Sequence, residues 1–267
     1  MNTKHRLIQK LILVAAPVLT SSVLAISPSR AASFASSTAG FEFENFSQPP
    51  SGVLASTDTD TFSFEENGIA QATAEANAIF LQSTEGGANF NFTEAFGENQ
   101  EYLALAEGES ELIGSFEIKA DKSFSFDFIA NLDLATSIDN PPSENARAAG
   151  EISFFLFDID NNTVLDTFDL IGNLTTEGDN DFVALQASNN VKFNQEFVNP
   201  NFGGLEESLE AAVEGSYKRV FTDDTNLALV EFKQNRVLVK APEPSASLAL
   251  LLSSSAIGVI MKRRRQK

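Results

Sequence analysis

The chain has 267 residues, 43% of them hydrophobic, with 24 Phe, a single His, no Cys and no Trp. That is enough apolar material for one sizeable packed domain, which excludes a disordered or collagen-like chain, and the lack of Cys excludes disulfides, thiolate metal sites and cysteine nucleophiles. The formal net charge is −19, but nine of the 18 bases lie in the first 30 and last six residues, so residues 33–241 carry 36 acids against nine bases, a net charge of −27 that repels nucleic acid.

Residues 1–10 are polar and basic, an apolar run follows from Leu11 to Ile26, and small residues come next at Ser29, Ala31, Ala32 and Ser33. This layout predicts a signal peptide over 1–32, read by the Sec translocon and removed by signal peptidase after Ala31 or Ala32. The only His, His5, leaves with it.

From Ser33 to Ala241 the dominant signal is alternation of Phe with polar residues, as in Phe41-Glu42-Phe43, Phe62-Ser63-Phe64, Phe90-Asn91-Phe92 and Phe124-Ser125-Phe126-Asp127-Phe128. Side chains two apart share a face of a strand, so each run predicts a half-buried antiparallel strand with its Phe residues inward. Turns are expected at Glu66-Asn67-Gly68, Glu85-Gly86-Gly87, Glu107-Gly108-Glu109, Asn140-Pro141-Pro142, Asp160-Asn161-Asn162 and Asp223-Asp224. Ala70–Ala78 alternates Ala with polar residues and reads as a strand with a small-residue face. Leu205–Val213 has Leu205, Leu209, Ala212 and Val213 at helical spacing, with acids in its first turn, and predicts one short helix. Three short strands, Tyr217–Phe221, Leu227–Phe232 and Arg236–Val239, close the body. The fold class expected is all-β: an antiparallel β-sandwich of jelly-roll type with a Phe-rich core.

Without His in the body, Ser-His-Asp and His-ligated metal catalysis are excluded. Ser–Lys chemistry has Lys119, Lys122, Lys192, Lys218, Lys233 and Lys240 to draw on, and no spacing singles one out. A carboxylate-only polysaccharide hydrolase needs two acids facing each other roughly 5 to 9 Å apart, a condition too many pairs of this sequence could meet to be informative. The body is therefore expected to be non-catalytic. For metal, Asp158, Asp160, Asn162 and Asp169 place oxygen ligands at calcium-like intervals, but Thr163 stands where a calcium loop has its sharp-turn Gly. The flanks, Ile152–Phe157 and Val164–Leu170, read as strands, which favours a hairpin with an Asp-Asn-Asn turn.

At the end of the chain Pro242-Glu243-Pro244 precedes an apolar run from Ala246 to Met261, followed by Lys262, Arg263, Arg264 and Arg265. Sixteen helical residues rise about 24 Å, a short transmembrane helix, and the positive-inside rule keeps its basic cluster cytoplasmic. These three features in this order resemble the PEP-CTERM sorting signal of exosortase substrates, over residues 242–267. Ser253-Ser254-Ser255 within the span departs from a uniformly apolar helix. The resemblance implies an exported protein of a cyanobacterium or other exopolysaccharide-producing Gram-negative bacterium. Such a protein is anchored transiently in the inner membrane, cut near Pro-Glu-Pro by an exosortase, and left at the cell surface or in the extracellular matrix with the exopolysaccharide or biofilm. The competing reading is a calcium-dependent carbohydrate-binding module at the cell surface.

Overall fold

The computed structural model describes residues 32–241 apart from 177 and 179. The signal segment, the Pro-Glu-Pro motif, the apolar span and the basic cluster lie outside the described residues. Ten antiparallel strands make up the body: β1 (Ala32–Glu44), β2 (Gly52–Phe80), β3 (Gly87–Ile118), β4 (Lys122–Ile138), β5 (Asn145–Asp158), β6 (Thr163–Thr176), β7 (Phe182–Ala187), β8 (Val191–Asn201), β9 (Glu206–Phe221) and β10 (Thr225–Ala241).

The organising element is the β2–β3 hairpin, paired from Phe80↔Gly87 to Gly52↔Ser115. It is too long for one layer and bends at its middle, where Asn99 (φ 76°) and Glu101 (φ 56°) take the left-handed conformation. Before the bend, residues 87–98 of β3 pair with β1, and after it residues 102–118 pair with β10. One arm thus belongs to the order β2-β3-β1-β4-β9-β8 and the other to β2-β3-β10-β5-β6-β7. These are two antiparallel layers in a single hydrogen-bonded network.

The inner faces are aromatic. Phe41 and Phe43 of β1 and Phe124, Phe126 and Phe128 of β4 are buried, as the alternation predicts. They meet Phe154 of β5 and Phe168 of β6 from the other layer, with ring centroids 6.1 Å apart for Phe41–Phe154, 5.5 Å for Phe126–Phe154 and 4.9 Å for Phe128–Phe168. Many of the pairs are tilted or edge-on, the arrangement that ring quadrupoles favour.

Several expectations are corrected. Leu205–Val213 is not a helix: β9 runs through it, with Leu209, Ala211 and Val213 inward at a spacing of two. β4 on one side and β8 on the other satisfy its backbone, and that pairing overrides the helical pattern of the isolated segment. The two short strands expected at Leu227–Phe232 and Arg236–Val239 are one continuous β10. Glu66-Asn67-Gly68 and Glu107-Gly108-Glu109 are not turns. Gly108 lies mid-strand between Thr59 and Asn235, where a side chain would come within 3.4 Å of Thr93 on the opposing arm. The other four turn signals do fall between strands, and that at Gly86-Gly87 includes the left-handed Gly86 (φ 108°). In Phe90-Asn91-Phe92 the faces are reversed, because Asn91 is fully buried and its Phe neighbours are only partly so.

Candidate functional site

The inward face of β10 reads Leu227, Leu229, Glu231, Lys233, Asn235, Val237, Val239, and all seven residues are 0% exposed. Three consecutive polar positions therefore interrupt an otherwise apolar strand face inside the core. Facing them are Asn89, Asn91 and Thr93 on the first arm of β3, Ser110 on the second arm and Ser37 on β1, none more than 5% exposed.

The contacts are specific. Lys233 Nζ donates to the backbone oxygens of Asn89 (2.8 Å) and Ala39 (3.2 Å). The Asn89 carboxamide donates to Glu231 Oε2. Asn91 Nδ2 is engaged with the carbonyls of Gly108 (3.1 Å) and Lys233 (3.4 Å), and Asn235 Nδ2 with Ser37 Oγ (2.5 Å). Five buried atoms are left without a hydrogen-bond partner: Asn89 Oδ1, Asn91 Oδ1, Asn235 Oδ1, Ser110 Oγ and Glu231 Oε1. Each such atom costs about 1–3 kcal/mol, so this cluster is not what stability alone would select.

Burial sets the electrostatics. It raises the Glu231 carboxyl to about 7 against the opposing pull of Lys233 and Asn89, and lowers the Lys233 amine to about 7 against Glu231. Burial thus disfavours the charged form of both side chains, which lie in the core beside a carboxamide. A buried amine of this kind is a nucleophile, and the acid beside it is a proton carrier.

Other buried polar groups are partnered. Asp166 accepts from Tyr217 (2.9 Å), Arg219 (2.9 Å) and Asn190 (3.0 Å). Glu207 joins Thr176 (2.7 Å), Thr136 and the Gly203 backbone (2.9 Å). Glu144 caps the backbone N–H groups of Asp139 and Asn140, both at 2.8 Å. These networks fasten strands and loops to one another.

The proposed calcium ligands are not brought together. Asp158 accepts the backbone and side-chain N–H groups of Asn161 at 3.0 and 2.9 Å. Asp160 is held by Asn226 at 2.9 and 3.0 Å, which lowers its pKa. Asn162 takes a left-handed turn conformation (φ 52°). Asp169 pairs with Ser153, five strand positions from the Asp158↔Thr163 pair and so roughly 17 Å away. The segment is the β5–β6 hairpin turn. Among the described residues no three His, Asp or Glu side chains are grouped to hold a metal. An open groove of about 540 Å³ lies between the arms of β2, lined by Thr57–Thr59 and Ala74–Asn77, without an aromatic platform.

Of the polar cluster, sequence reasoning named only Lys233, as one of six lysines. The available signal was phase: in Leu227–Val239 the polar residues 231, 233 and 235 fall in step with the inward apolar ones. No protein-family model, curated protein or solved structure matches the chain.

Proposed function

We propose that this is an exported, non-catalytic surface or extracellular-matrix protein. It is a jelly-roll β-sandwich held transiently in the inner membrane by its C-terminal segment, cut by an exosortase near Pro242–Pro244, and retained with exopolysaccharide. The observation that supports this reading is the course of β10. It runs between β3 and β5, and its last residue, Ala241, is 2% exposed and immediately precedes Pro242 in sequence. A cut at the motif would therefore release the body without removing a core residue. The Ala241↔Tyr102 and Ala32↔Glu98 pairs lie four residues apart along β3, so both ends of the body meet at the hairpin bend. An acidic body emptied of His and Cys also suits a passive structural role better than turnover of an external substrate.

Intact-mass measurement on protein from the outer surface and medium of the host, against the cell-bound fraction, tests the proposal. A surface species lacking the residues up to about Ala32 and ending between Pro242 and Ser245 is expected. A surface species that retains the tail through Lys267 overturns processing at the motif.

A further inference from the structure

We propose that Lys233 and Asn89 form an intramolecular isopeptide bond inside the core, with Glu231 as the catalytic proton relay. This goes beyond the export reading and does not rest on it.

Three observations select these atoms. The Lys233 amine is held against the main chain of Asn89, 2.8 Å from its backbone oxygen and one side chain's length from its carboxamide, in a region where Lys233 and Glu231 are both fully buried. Asn89 is the carboxamide whose nitrogen touches Glu231, whereas Asn91 and Asn235 spend theirs on backbone carbonyls and on Ser37. The Asn89 Oδ1 and Glu231 Oε1 atoms have no partner, so the carbonyl and the acid are both free to act. Glu231 and Lys233 stand two apart on one strand face, about 7 Å between their Cα atoms, so both side chains enter the core from the same face of β10, and each contacts Asn89.

The chemistry balances without a cofactor or redox partner. The Lys233 Nζ lone pair attacks Cγ of Asn89, forming the new C–N bond. Glu231 donates a proton to the departing Nδ2, the Cγ–Nδ2 bond breaks, and ammonia leaves. The proton lost by Nζ returns to Glu231, which is regenerated. Burial shifts the carboxyl up and the amine down, in the direction of the two neutral partners this step requires. Fixed neighbours in a packed core replace a bimolecular amide exchange by an intramolecular one, which is how an unreactive carboxamide becomes competent. The product ties β10, the strand that leads to Pro242, to the opposite layer through β3.

The full-length chain digested at glutamate tests this. Segments 86–94 and 232–267 are separate peptides if unlinked, because the Glu243–Pro244 bond resists cleavage and no glutamate follows it. The expected result is one branched peptide joining them, lighter than their sum by one ammonia, with fragmentation placing the link at Asn89 and Lys233. K233R and N89A should give unbranched products, and E231Q, which also removes the cleavage site before residue 232 so that its segment begins at residue 215, should show that longer segment unlinked and an intact mass not reduced by one ammonia, while keeping the fold by circular dichroism. Two separate peptides of unreduced mass from the unsubstituted protein overturn the bond, and undiminished branching in E231Q overturns the role of Glu231.

Discussion

Asp133 stands directly opposite Glu210 on the neighbouring strand, and burial together with that like charge raises its carboxyl to about 6. Burial and Glu44 raise Glu42 to about 7 in the same way. A carboxyl with a raised folded pKa keeps its proton in the fold where the unfolded chain, with its pKa near about 4, has lost it. The linked stability is fully present below about pH 4 and is lost as pH rises through the folded values, so melting temperature should fall between about pH 4 and pH 7. Asp133→Asn and Glu42→Gln should each flatten that decline and raise the melting temperature at the alkaline end. Parallel pH profiles for parent and both variants would show that these carboxyls are not its source. At this scale the local pattern was legible in part: Phe41, Phe43, Phe124, Phe126 and Phe128 point inward as alternation predicts, but Phe90-Asn91-Phe92 does not. A period of two says which residues share a face, not which face is covered.

Among the elements, β9 separates local propensity from tertiary pairing most clearly. A helix over Leu205–Val213 would bury Ala212 and leave Ala211 outside, whereas the strand buries Ala211 at 2% exposure and turns Ala212 outward. Ala211→Asp should therefore cost about 3–5 kcal/mol, the scale of an uncompensated buried charge, and Ala212→Asp only about 0.5 kcal/mol. Denaturant unfolding of the two variants checks this, and equal losses would contradict the register. The same logic explains β10. Lys233-Gln234-Asn235 looks like an interruption in sequence, yet the backbone pairs continuously with β3 and β5, and the polar side chains are accommodated by other polar groups across the core.

For the molecule as a whole, a body of net charge −27 repels itself, and the two layers share one core through the bent hairpin. Raising sodium chloride from about 0.01 to 0.2 M shortens the screening length from about 30 Å to below 10 Å and should raise the melting temperature in a single transition. Calcium chloride at equal ionic strength should do no more, because Asp158, Asp160 and Asn162 are spent on a hairpin turn and Asp169 lies far along β6. A clearly larger shift with calcium would favour the calcium-dependent binding reading.

Composition and periodicity by themselves determined the all-β class, the aromatic core of β1 and β4, four of the interstrand turns and the β5–β6 hairpin, because strand period and turn chemistry act over a few residues. Only the tertiary structure decided that β2 and β3 bend through both layers, that Leu205–Val213 is a strand, and that Glu231, Lys233 and Asn89 share one closed space. Asn89 and Lys233 are 144 residues apart, and what joins them is the meeting of two packed layers, which no local pattern specifies.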